Sequence, residues 1–282
     1  MDTPPATIVI PTRERAGYLD VELASIAPQA TAAGAELLVV ADGPDPASVA
    51  TAERHGARVL ALPAPMGLNG ARNRGWREAH GELVVFVDDD VRAPAGWLPA
   101  LLAAAAATPE RDVFTGPIRA VLEGGLVARR SCGREQPPIT ALDAGPADKD
   151  VTVAWGANLA IRRAALETVG GFDETIEVGG GDEEEWQERY RSTGGRVRYV
   201  AAAAIEHRRA PQDATLRALA RAQYHRARAA RRHDVRRGAE PTLAAELRVL
   251  AGCLWHTVRR RCANGIVMAA HALGRVRETL AR

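Results

Sequence analysis

Four short apolar runs within the first 90 residues each break off at a proline, a glycine turn or an aspartate, and this rhythm restricts the fold more than any other feature of the chain. The runs are TIVIP (Thr7 to Pro11), Leu37 to Val40 ahead of Asp42-Gly43, ARVLALP ending at Pro63, and GELVVFVDDD. Rich in β-branched residues and closed by turn formers, they read as buried strands. Helix formers fill the gaps, from about Gly17 to Thr31 and again in GLNGARNRGWREAH. Strand and helix in alternation predict an α/β fold with a doubly wound, mostly parallel, Rossmann-like sheet and helices on both faces. A chain of 282 residues holds one such domain plus an appendage. Ligands of these sheets bind beyond the carboxyl ends of the strands. Pro11 to Glu14, Asp42 and Asp88 to Asp90 all fall at such ends, so one crevice is expected to gather them.

The fourth run drives straight into three aspartates, VVFVDDDVRAP. Adjacent like charges are costly unless a positive partner or hydrogen-bond donors await them. In an extended segment residues two apart share a side, so Asp88 and Asp90 face one ligand and Asp89 faces away. Paired carboxylates suit a hard cation, Mg2+ or Mn2+, whereas the scattered histidines are not expected to build a zinc cage. The purely structural alternative is an acidic loop capping a helix at Ala95 to Ala107. Cys132, Cys253 and Cys262 lack paired metal-ligand spacing and read as reduced thiols of a cytoplasmic protein. The start, MDTPPATIVIP, has no basic stretch leading into an apolar core, and no run reaches about 18 uninterrupted apolar residues, so neither a signal peptide nor a spanning helix is expected.

Charge is unevenly placed. The net charge is +2, yet Arg208 to Arg237 holds ten arginines against Asp213 and Asp234, while acidic residues gather at Asp88 to Asp90 and Asp182 to Glu185. Leu243, Leu247, Leu250, Leu254 and Val258 then recur at spacings of three and four, one apolar stripe on a helix. The expected division is a catalytic domain over 1–209 and a basic, amphipathic helical extension over 210–282. The stripe is expected to pack on the catalytic domain or in a homodimer. A second use is peripheral docking on the anionic inner face of a membrane.

Eight motifs give the chain a family resemblance: IPTRER, VVADG, GLNGARNRG, FVDDD, GANLAIRR, GGFDE, GGGDEEEWQER and IEHRR. Their order and spacing resemble those of family 2 glycosyltransferases, whose nucleotide-binding fold is called GT-A, over roughly residues 6 to 209. The resemblance implies transfer of a sugar from a nucleotide-diphosphate donor to an acceptor hydroxyl with inversion, assisted by Mn2+ or Mg2+. It places Pro11, Thr12, Arg13 and Glu14 in the nucleotide pocket. Asp42 looks like the acidic residue that meets the base, and Arg72 like the basic residue that helps hold base or diphosphate. Their structural alternatives are a turn residue and a solvated helix face. Asp88 resembles the carboxylate near the ribose, with Asp89 beside it, and Asp90 the metal ligand. His207 resembles a histidine that completes metal or diphosphate binding. Trp155 and Asn158 lie where relatives meet donor sugar or acceptor.

Asp182 and Glu183 occupy the position of the family's acidic pair, one member of which removes the acceptor proton. The usual order, glutamate then aspartate, is reversed here, which leaves the base open between them. Helix capping at the positive end of the macrodipole accounts for one or two of the four acidic residues, not all. Arg13 stands where many relatives carry a base-stacking aromatic, and Ala41 where a first aspartate is common, so uridine is only the default base.

Residues 118 to 155, rich in glycine, proline and charge, read as a lid, a substrate loop or a disordered surface excursion. Two other functions compete. A sugar-nucleotide-forming nucleotidyltransferase would carry a glycine-rich basic loop after the first strand, which PTRERAG is not. A nucleic-acid-binding module would rest on the arginine segment alone, and charge alone supports only weak, salt-sensitive association, so no specific nucleic-acid partner is expected.

Overall fold

The computed structural model describes residues 3–133, 137–176, 179, 181–239 and 241–281. The amino-terminal part alternates as the sequence predicts: β1 (Ala6–Thr12), α1 (Ala16–Ala33), β2 (Glu36–Ala41), α2 (Pro46–Arg54), β3 (Arg58–Ala61), α3 (Gly67–Glu78) and β4 (Leu83–Phe86). There follow β5 (Val91–Arg92), α4 (Trp97–Ala107), β6 (Val113–Thr115), β7 (Ile118–Leu122), α5 (Gly125–Arg129) and β8 (Lys149–Val151). Next are β9 (Leu159–Arg162), α6 (Arg163–Val169), α7 (Asp182–Ser192), β10 (Val197–Tyr199) and β11 (Ile205–Arg209). The chain ends in α8 (Leu216–Arg236), α9 (Leu243–Arg260) and α10 (Ala263–Leu280).

Two compact units result. The first comprises residues 1–119, 141–175 and 182–207; the second comprises 120–140, 176–181 and 208–282. The helical extension expected over 210–282 therefore forms its unit together with two earlier segments.

The first unit is built on an eight-stranded sheet of order β3-β2-β1-β4-β9-β6-β10-β8. β1, β2, β3 and β4 run parallel, and β9 lies antiparallel between β4 and β6. Side chains of successive strand residues go to opposite faces, and two cores follow from that alternation. Ile8, Ile10, Val39 and Val85 pack with Leu19, Leu23, Trp97 and Leu101 of α1 and α4. Val9, Val40, Val84 and Phe86 pack on the other face with Ala71, Leu166, Trp186 and Tyr190 of α3, α6 and α7. A separate three-stranded sheet has the order β5-β11-β7. The segment read as a lid or loop is not structureless: it carries β7, α5 and β8, with 134–136 outside the described residues.

In the second unit α10 packs against α8, and a Cβ at Gly274 would strike the backbone oxygen of Tyr224. Much of the arginine surplus is spent on partners inside this unit. Arg228 and Arg232 both reach Glu278, at 2.9 and 3.0 Å, Arg208 reaches Glu123, and Arg275 joins Asp234 at 2.7 Å to Glu246 at 2.8 Å. The apolar stripe on α9 is in large part exposed. Glu246 and Cys253 face inward, whereas Leu247, Leu254, Trp255 and Val258 are exposed, Trp255 by 67% and Val258 by 74%. Leu250 of the stripe packs within this unit, against Cys253, Ala269 and Ala272.

Candidate active site

Because β1 and β2 run parallel in register, with Thr12 opposite Ala41, and β4 runs parallel to β1, their following turns emerge at one edge of the sheet. Hydrogen bonds join the turns there. The Asp42 amide donates to the Thr12 carbonyl at 2.9 Å, and the Thr12 hydroxyl donates to Asp89 at 2.8 Å. Glu14 adopts a left-handed φ of 54°, and its amide donates to Asp45 at 2.6 Å. The strand ends expected to line one crevice are thus joined to one another.

After β4 the chain turns at Asp89 and Asp90 instead of staying extended. The positive partner these aspartates require is Arg15, whose guanidinium meets Asp89 at 2.5 Å and Asp90 at 2.8 Å. A planar fork spanning two carboxylates is a geometry that arginine supplies and lysine does not. β11 pairs antiparallel with β5, His207 opposite Val91, which brings the His207 imidazole to 3.0 Å from Asp90. Asp88, Asp90 and His207 each present a ligand atom, all within 4.8 Å of one another. Asp89 is held by the Thr12 hydroxyl and shares the Arg15 guanidinium with Asp90. Burial pushes its carboxyl up to about 7, against the pull of Arg15. Beneath them lies Glu22 of α1, fully buried, with neither carboxylate oxygen hydrogen-bonded. Burial first, and then Asp89, Asp90 and Asp88, raise it well above the usual glutamate range.

α3 brings the second acidic cluster to the same place. Arg72, only 1% exposed, reaches Asp182 at 3.1 Å and Asp88 at 3.4 Å, and stands 4.0 Å from Glu183. Its neighbours on the helix secure the turn before α7: Asn69 donates to the Asp173 carbonyl, and Asn73 exchanges bonds with Phe172, 2.8 Å to its carbonyl and 2.9 Å from its amide. Gly156 and Gly171 have no room for a side chain, since a Cβ would overlap Arg72 and Asn73 respectively. The Gly156 amide donates to Glu183 at 2.9 Å. Burial, and then the adjacent Asp182, push the Glu183 carboxyl up to about 8. Glu185 turns aside to Arg189 at 2.6 Å, a bond internal to α7.

The remaining expected residues are placed as follows. Pro11 and Thr12 are buried in β1, while Arg13 and Glu14 are exposed at its end. The Asp42 carboxylate accepts from the amides of Met66 and Gly67 at 2.6 and 3.1 Å, so it caps the start of α3. Arg72 is no solvated helix face. Trp155 is half-buried against the core. Asn158 is fully buried, bonded to Trp97 at 3.0 Å and to the Ala203 carbonyl at 2.9 Å, which ties it into the core. Sequence reasoning missed Arg15 and Glu22. The signal for Arg15 was its place in PTRER, directly after β1 and charged opposite to DDD.

Comparison with known proteins places this geometry. The family model described as Glycosyl transferase family 2 matches residues 7–170. The pre-mycofactocin glycosyltransferase of Mycobacterium tuberculosis is 30% identical over 215 residues, which cover 71% of this chain and 42% of that protein, so the match extends over less than half of the relative. Among solved structures, the mannosyltransferase PcManGT of Pyrobaculum calidifontis, in complex with GDP-Man and Mn2+, superposes with a TM-score of 0.65 at 16% identity, covering 99% of this chain and 88% of that one. S. aureus TarS 1–349 in complex with UDP gives 0.56 at 18% identity, covering 98% and 92%. At these identities the two structures establish a shared fold, that of the GT-A glycosyltransferases.

Proposed function

The chain belongs to glycosyl transferase family 2, and on that premise we propose that it moves a sugar from a nucleoside-diphosphate donor to an acceptor hydroxyl in one inverting displacement. The observation that carries this reading is the Arg72 guanidinium, which touches Asp88 of one acidic cluster and Asp182 of the other. Donor-side and acceptor-side groups therefore lie one side chain apart, as a reaction between two bound substrates demands. The acceptor oxygen forms its bond to the anomeric carbon as the bond to the diphosphate oxygen breaks on the opposite face.

Glu183 takes the acceptor proton. Asp182 is engaged by Arg72 in an ion pair at 3.1 Å, whereas Glu183 stands out of hydrogen-bond reach of the same group. A base raised toward neutrality is matched to proton transfer at working pH. Asp88, Asp90 and His207 would hold a divalent cation; two carboxylates and one imidazole within 4.8 Å fit Mn2+ or Mg2+. When bound, such an ion supplies Lewis-acid stabilisation of the charge on the leaving diphosphate. Arg15 keeps Asp89 and Asp90 from repelling one another and fixes the turn on which the ligands sit.

Product analysis tests the reaction class. Incubation with nucleotide sugars and Mn2+ is expected to release nucleoside diphosphate, dependent on acceptor; release of pyrophosphate would instead identify a nucleotidyltransferase. The outward face of α9, with Trp255 and Val258 beside Arg259 and Arg260, further supports peripheral contact with an anionic membrane. No helix among the described residues is long and apolar enough to cross one.

A further inference from the structure

A second set of ligand-type side chains stands apart from the candidate active site, within the second unit. Cys132 follows α5, His256 lies near the carboxyl end of α9, and Cys262 caps α10. Their ligand atoms fall within 4.8 Å of one another, and the Cys132 sulfur is 3.4 Å from His256 Nε2. The cysteines lack paired metal-ligand spacing in sequence, yet two of them meet His256 in the fold; Cys132 and His256 are 124 positions apart, a distance across which spacing carries no signal.

The backbone explains the convergence. Arg261 ends α9 in a left-handed conformation, φ 48°, and the Cys262 amide donates back to the Thr257 carbonyl at 3.2 Å. The reversal lays Cys262 beside the turn of helix that carries His256. Gly265 lies against Thr257 with no space for a Cβ, which keeps that reversal tight. The Ala263 amide then donates to the Arg130 carbonyl at 3.0 Å, two residues ahead of Cys132. Three stretches of chain meet, and each delivers one soft or borderline ligand.

We propose that Cys132, His256 and Cys262 bind a zinc ion. Two thiolates and an imidazole are ligands of four-coordinate zinc, and three protein ligands leave the fourth position to water. The oxygen-rich triad of Asp88, Asp90 and His207 suits Mn2+ or Mg2+ instead, so the two sites differ in metal preference. Cys132 and His256 are half-buried and Cys262 is buried, which gives the ion a path in and a protected seat. Binding converts two thiols to thiolates and releases their two protons to solvent. The ion ties the segment after α5 to the turn between α9 and α10.

Cobalt reports this donor set directly. The full chain, stripped with chelator and titrated with Co2+, is expected to develop a thiolate-to-cobalt charge-transfer band and strong tetrahedral d–d absorption at one equivalent, both abolished by Zn2+. Cys132→Ser and Cys262→Ser lose the charge-transfer intensity and bind Zn2+ at least about 100-fold more weakly, beyond the usual effect of an outer-shell change. Cys253→Ser and Asp90→Ala retain the band. Should Cys262→Ser fail to fold, Cys132→Ser, at a half-exposed position, decides alone. A wild-type chain without thiolate absorption, or an unchanged band in Cys132→Ser, overturns the site.

Discussion

Asp182 and Glu183 are adjacent carboxylates in unequal surroundings, one held by Arg72 and the other raised to about 8. Replacing Glu183 with glutamine is expected to lower turnover by roughly 10²- to 10⁴-fold with donor affinity retained, as steady-state kinetics and calorimetry would measure. Wild-type turnover should climb as pH passes upward through about 8, since only the ionised form accepts a proton. Stability moves the opposite way. A carboxyl raised in the folded state contributes fully below its unfolded value of 4.5 and loses that contribution as pH rises through about 8. Glu22 follows the same sign without any hydrogen-bond partner to offset its burial. Glu22→Met is therefore expected to raise stability by about 1–3 kcal/mol near pH 8 and by less near pH 5 in urea denaturation. That Asp88, Asp90 and His207 lie close together was expected from motif order, with Asp88 assigned to the ribose and the other two to the metal. Arg15 and Glu22 were not expected, because a residue's partners across a turn leave no periodic trace.

At the scale of elements, β1 to β3, α1 and α3 were readable to within about two residues at each end, since strand runs and turn formers mark their own limits, whereas α2 was not bounded and β4 ends at Phe86, short of the aspartates. The turn at Asp89 was misread as extended: an apolar run predicts where a strand begins more firmly than where it leaves the sheet. The stripe on α9 was placed correctly on one face, but periodicity names residues that share a face and not what covers them. The least legible feature was the dependence of α7 on α3. Asn73 anchors the turn at Phe172, which sets the start of α7 and with it Asp182 and Glu183. Asn73→Ala is expected to destabilise the fold by about 1–3 kcal/mol, leaving buried backbone groups unpaired. It should also reduce turnover while donor binding at the Asp88 side persists, a split that kinetics and titration calorimetry would detect.

At the scale of the whole molecule, fold class and family were legible because the motif set spans most of the first unit, where most of the family model also falls. The second unit was legible only as helical and basic. Its internal ion pairs, and the meeting of Cys132, His256 and Cys262, depend on how distant segments return to one another. Its exposed apolar face predicts salt-sensitive co-sedimentation with anionic vesicles, weakened in Trp255→Ser; equal recovery with neutral vesicles would count against an electrostatic contribution. The decisive quantity for the account as a whole is the affinity for nucleotide sugar, measured by titration calorimetry with and without Mn2+ in the wild-type chain and in Asp90→Ala. The account predicts tight binding only for wild type with the metal present. Equal donor affinity in Asp90→Ala, indifferent to Mn2+, would contradict it.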